Sequence, residues 1–248
     1  MDYSKHILAC RNAQEYIEKQ ISSPQSVGQS LTVLYERARC SVAYEEWSVG
    51  GKSMDRGYYC PSTVRDLVVV GQSRGKLLKR PRPKSRPSFC YGFDENGRLL
   101  TVTTLQEQSG KPLRKEVLFY EGECQYGLAA DVDGGSLSLC VCRYEEGTLR
   151  SYRLYFYKEG VGVDRFLAED YQREGDGRAE ITFYEFRLSN PYFEKEWTPR
   201  LYDHRRYSCY LKEDGQLVCR QTDYDKNGEG APSFEVHVFK RGGRIIRI

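Results

Sequence analysis

The chain has 248 residues, with 38 lysines and arginines against 35 aspartates and glutamates and a formal net charge of +3. That length can bury a sizeable core as one large or two smaller domains, and so mild a basicity argues against a chain driven as a whole onto nucleic acid. No apolar run approaches the roughly 20 residues needed to cross a bilayer, and the opening segment lacks the basic cluster and apolar stretch of a secretory signal, so a soluble, cytoplasmic protein with no membrane partner is expected.

The first 45 residues carry a helical period. Ser4 can cap a helix in which Ile7, Cys10, Gln14, Ile17 and Ile21 recur at steps of three and four. Ser23-Pro24 restarts it, with proline in the first turn, where its missing N–H costs nothing. Val27, Leu31, Leu34, Tyr35, Ala38 and Val42 continue the stripe. The pattern predicts two antiparallel helices over 5–21 and 24–45. Gly50-Gly51 ends that region, and the β-branched run in "TVRDLVVVG" predicts a first strand.

A local basic segment follows. No acid lies between Asp66 and Asp94, while Arg74, Lys76, Lys79, Arg80, Arg82, Lys84 and Arg86 all do. Pro81, Pro83 and Pro87 remove backbone donors there, which predicts a linker or long exposed loop over 74–88. All ten phenylalanines lie beyond it, between Phe89 and Phe239. Three segments are thus expected: a helical region with a first strand at 1–73, the basic loop at 74–88, and a β-region at 89–248.

In the last segment the period is two. Leu137, Leu139 and Val141 alternate with Ser138, Cys140 and Cys142, and Ala179, Ile181 and Phe183 alternate with Glu180, Thr182 and Tyr184. Glycines at 97, 122, 135, 147, 160, 175, 215 and 228 mark short turns, which predicts an antiparallel meander of about ten or more strands, interrupted at 189–206. The expected fold is α+β and β-rich: a long twisted antiparallel meander with an N-terminal helical hairpin packed on one face.

The stretch "YGFDENGRLLTV" places Tyr91, Phe93, Asp94, Gly97, Arg98 and Leu99 in a Y-x-[YF]-D-x-x-G-R-L pattern. It resembles the tyrosine–aspartate repeat of bacterial rearrangement-hotspot and teneurin-type proteins. Two looser copies depart from it, since Tyr144 to Leu149 lacks the aspartate and Leu211 to Leu217 lacks the aromatic pair. Those departures argue against a closed toxin-encapsulating shell and for convergence on a hairpin. In general character the chain also resembles the immunity proteins of bacterial polymorphic toxin systems, many of them small, cytosolic and non-catalytic, and this likeness carries over no site.

Motifs for chemistry are sparse. His6, His204 and His237 lie far apart, and no zinc-ligand spacing or phosphate loop can be assembled. Asp223, Asp225, Asn227 and Gly228 mimic the start of a calcium loop, but Phe234 stands where a bidentate glutamate should close it, so a polar hairpin turn is read instead. Nine cysteines, odd in number and without a CxxC, read as reduced thiols; Cys140 and Cys142 share one strand face as small apolar side chains. No enzyme, cofactor or metal is expected.

Tyrosine remains. If one sheet face is wet, Tyr155, Tyr157, Tyr184 and Tyr210 supply low-entropy contact area for another protein, most specifically a toxin domain, with Leu154 and Phe156 turned to the helices. Arg80, Arg82 and Arg86 would steer that partner. The alternative is a nucleic-acid-binding module acting through residues 74–86, flanked by Tyr58, Tyr59, Phe89 and Tyr91 as stacking groups.

Overall fold

A computed structural model describes residues 4–21, 27–52, 55–65, 74–79, 86–134, 136–158, 161–173, 178–188, 199–212, 217–225 and 227–236. Two helices, α1 (Ser4–Ile21) and α2 (Val27–Arg39), lead into thirteen strands that form one antiparallel sheet. The strands are β1 (Tyr44–Val49), β2 (Lys76–Leu78), β3 (Phe89–Phe93), β4 (Leu99–Leu105), β5 (Pro112–Glu121), β6 (Cys124–Asp131) and β7 (Leu137–Glu145). They continue with β8 (Thr148–Lys158), β9 (Gly162–Arg173), β10 (Arg178–Leu188), β11 (Pro199–Leu211), β12 (Leu217–Asp223) and β13 (Phe234–Val236). From β3 to β13 each strand pairs with its neighbours in sequence, the meander that the glycine spacing predicts; β1 is inserted between β3 and β2.

The turns explain why these strands reverse where they do. Between β3 and β4, Asp94 Oδ1 accepts the backbone N–H groups of Asn96 (2.9 Å) and Arg98 (2.8 Å), and Gly97 takes φ +76°. After β12 the same device recurs: Asp225 Oδ1 accepts from Asn227 (2.9 Å) and Glu229 (2.8 Å), with Gly228 at φ +84°. Both turns read D-x-N-G. The aspartate replaces absent backbone acceptors and the glycine enters the left-handed region without a Cβ clash. The calcium-like stretch is therefore a hairpin turn of the expected kind.

Strand parity sorts the core into two faces. Leu137, Leu139, Tyr155, Phe166 and Phe186 share a buried cluster with Ala13 and Ile17 of α1 and Leu31 of α2. We call this the helix-side face. The opposite parity, Cys140, Cys142, Tyr152, Leu154, Leu167 and Ile181, forms a second cluster with Val64. Residues 55–65 cross that second face, with a single 3₁₀ turn at Gly57–Tyr59. Beside it Phe89, Tyr91, Phe93, Leu99 and Leu118 pack under Tyr58 and Tyr59.

Four expectations are corrected. The second helix ends at Arg39 and not at 45, because Tyr44 and Glu45 already pair with Phe93 and Gly92 of β3. In "TVRDLVVVG", Val64 and Arg65 are helical, and 66–73 lie outside the described residues. Of the expected interruption at 189–206, residues from Pro199 onward belong to β11. Lys76–Leu78, placed in the basic loop by the sequence, form β2 against β1.

Candidate functional site

Tyr155 is 4% exposed and lies in the cluster that contains the helical residues, while Leu154 faces the other way. This reverses the expected orientation. Parity correctly places Tyr155 opposite Leu154, but both parities meet an apolar layer here, so it could not tell which cluster each residue joins. Tyr157 and Tyr184 are partly buried against the same cluster. Tyr210 is half-buried; its cross-strand partner Arg178 has the same parity as Tyr184, which puts Tyr210 on the helix-side face too. Arg80 and Arg82 lie outside the described residues. Arg86 is exposed just before β3, and β4 to β7 separate that strand from the tyrosines on β8. The tyrosines and the described basic residue do not form one site.

Cross-strand pairing on this face builds an aromatic row. Tyr155 stacks on Phe166 (5.6 Å between ring centroids) and Phe166 on Phe186 (4.8 Å). Nearby, His204 is sandwiched between Tyr184 and Tyr224, each at 4.5 Å. The row starts in the core and ends in half-buried rings, Tyr184 and Tyr224. Polar pairs lie alongside: Arg153 with Asp170, and Arg206 with Glu180 at 3.3 Å. Ser208 donates to Glu180 as well, at 3.2 Å. At a bulge opposite Glu185 and Phe186, Tyr202 is 61% exposed and carries the Arg187 guanidinium over its ring at 3.7 Å. His204 is buried and its Nδ1 has no hydrogen-bond partner. Burial, then the Arg206 charge, holds its pKa below the ordinary histidine value.

The other face carries a buried polar layer that sequence reasoning missed. Arg56, at φ +58°, donates from Nε to Glu116 Oε1 (2.7 Å) and from Nη1 to Gln125 Oε1 (2.7 Å), with its side chain only 2% exposed. The guanidinium lies over Gly127, where a Cβ would overlap both Arg56 Nη2 and Glu116 Oε1. Burial opposes the charge on Arg56, but Cys140, Glu116 and Cys142 outweigh it and hold its pKa above the ordinary value. Further along, Glu169 accepts from Ser62 Oγ (2.6 Å) and from the Tyr171 hydroxyl, which itself accepts the Thr63 N–H (3.1 Å). Burial raises the Glu169 pKa against the pull of those donors. Arg74 donates to the carbonyls of Cys60 and Ser62, the second at 3.0 Å. Chemically this layer anchors residues 55–65 to the sheet. Its one sequence signal is Gly127, a glycine inside a strand pattern, which marks close approach by another group.

A shallow pocket of about 260 Å³ opens beside this layer, lined by Tyr120, Glu123, Cys124, Gln125, Tyr144 and Glu146. Among the described residues no group of three or more histidine, cysteine, aspartate or glutamate side chains could hold a metal ion, and no helix is long and apolar enough to cross a membrane. Compared with family models, curated proteins and solved structures, the chain finds no match in any of the three.

Proposed function

We propose that the chain is a non-catalytic protein-binding module, in its most specific form a cytoplasmic immunity protein that occludes a cognate bacterial toxin. One observation carries this reading: the aromatic row leaves the core and ends, half-buried and rimmed by ion pairs, on the helix-side face of β10 to β12. Aromatic anchors inside a polar rim are the anatomy of binding hot spots. On this reading α1 and α2 pack as a hairpin over the first part of that face and leave the part with Tyr184, Tyr210 and Tyr224 to a partner. The rival nucleic-acid reading loses one of its seven cations, because Arg74 is committed to two backbone carbonyls.

The test is co-expression with the product of the adjacent reading frame, followed by co-purification at low and high salt. A stable complex that weakens when Tyr210 and Arg206 are both changed to alanine supports the proposal, by about 2 kcal/mol or more if they are anchors. Absence of a complex with that neighbour, or a complex indifferent to the double change, refutes the toxin form or the site respectively. Binding to nucleic acid that falls steeply with salt would instead favour the rival.

A further inference from the structure

We propose that Cys140 and Cys142 form an oxidisable dithiol, closed to an intramolecular disulfide by hydrogen peroxide, with Arg56 as the cation that readies the attacking sulfur. This inference is independent of the partner-binding reading. The two thiols point to the same face of β7 with Sγ atoms 3.7 Å apart. Their cross-strand partners on β6 are Gly127 and Gln125. Those are the two residues that seat Arg56, which lies over the first and hydrogen-bonds the second.

The guanidinium therefore rests against the dithiol, and its buried Nη2 has no hydrogen-bond partner. A fixed positive charge favours thiolate, the reactive form. In agreement, the Cys140 thiol and then Arg56 hold Cys142 below the ordinary thiol value, despite its burial. Cys140 is pushed the opposite way, first by burial and then by its bond to Cys142. Sharing one hydrogen bond beside the guanidinium, the pair can offer one thiolate and one thiol.

Access is short. Gln125 and Tyr144 line the open pocket, and Gln125 is the cross-strand partner of Cys142. Cys142 itself is fully buried, so peroxide reaches the sulfur when the wall between it and this pocket opens locally.

The chemistry balances. The Cys142 thiolate attacks one peroxide oxygen, the O–O bond breaks, and the departing hydroxide takes a proton to leave as water. Cys140 sulfur then attacks the Cys142 sulfenic sulfur, the S–O bond breaks, and a second water leaves with the Cys140 proton. Two thiols and one peroxide give one disulfide and two waters, with two electrons passing from sulfur to oxygen. Residues two apart on a strand have Cα atoms about 6.6–6.8 Å apart, at the upper end of what a disulfide spans. The bond is therefore strained and easily reversed by a thiol reductant.

The experiment uses the full chain carrying Cys124→Ser, because the tryptic peptide 116–143 otherwise holds three cysteines. After hydrogen peroxide, alkylation under denaturing conditions and digestion, the expected result is a loss of 2 Da on that peptide, restored by dithiothreitol. The rate should follow a titration with its midpoint below about 8.5, the value of an unassisted thiol. In Arg56→Gln, which removes the charge, the rate should drop by about tenfold or more at neutral pH. If that variant fails to fold, Gln125→Ala, which removes a hydrogen bond that seats the guanidinium, takes its place and should show a slower rate. Full alkylation of both cysteines after exposed Cys40 has been oxidised would overturn the dithiol. A midpoint at or above 8.5 would overturn the part given to Arg56.

Discussion

Gly127 offers a clean perturbation of the buried layer. It lies in β6 on ordinary extended backbone, so its replacement tests space alone. In Gly127→Ala the new methyl group would overlap both Arg56 Nη2 and Glu116 Oε1. Those groups form an ion pair at 2.7 Å with side chains 2% and 9% exposed. Both lie on the sheet or against it, and neither can move aside without leaving a charge buried and unpaired. Breaking such a pair costs about 3–5 kcal/mol. Alanine regains roughly 0.5–1 kcal/mol over glycine in a strand interior, which leaves a net loss of about 2–4 kcal/mol. Urea unfolding followed by tryptophan fluorescence and by far-ultraviolet circular dichroism should show the midpoint falling by about 1 M at an unchanged slope. A midpoint within about 0.2 M of the parent would show that the guanidinium is not held against Gly127, and the reasoning about this layer would fail with it.

Tyr155→Ala should cost about 3–5 kcal/mol of folding stability, as for any large aromatic removed from a core, whereas Tyr210→Ala should stay within about 0.5 kcal/mol; equal effects in thermal or urea unfolding would contradict the assignment of the two rings. The folded-state pKa of His204 lies below its unfolded value near 6.5, so the unfolded chain takes the proton first and stability is lost as pH falls below about 6.5 toward the folded pKa. Comparing unfolding midpoints at two pH values on either side of that window should show a smaller drop in His204→Phe than in the parent, and an unchanged drop would count against it. Asp94→Ala removes the acceptor for two backbone N–H groups in the β3–β4 turn and should cost about 1 kcal/mol, read as a lower melting temperature, while Asp94→Asn should retain most of it.

How much of this was legible in the sequence differs by level. The meander was, because D-x-N-G turns and alternating residues are local devices that need no knowledge of the rest of the chain. The end of α2 was not, because Val42 continues a helical stripe yet packs beside Gly92 once β1 pairs with β3. Tyr155 shows a further limit. Alternation tells which residues share a face, but the covering of a face by residues 55–65 is a long-range event with no periodic signature. Arg56 was invisible for a related reason: nothing about a lone arginine before a Gly-Tyr-Tyr run announces a partner sixty positions later at Glu116.

Among the described residues, every strand pairing except β1 with β3 joins neighbours in sequence. A chain wired in this way has low contact order, so its hairpins can zip from several starting points without first closing long loops. Its energetics approach those of a repeat array, in which each unit leans on the next and distant strands fray independently. The Ser62–Glu169 and Thr63–Tyr171 hydrogen bonds break that rule, spanning 107 and 108 positions. They act as a latch that links an early segment to the middle of the sheet. The sheet thus supplies speed of assembly, and the latch couples strands that would otherwise melt one after another into a single cooperative transition.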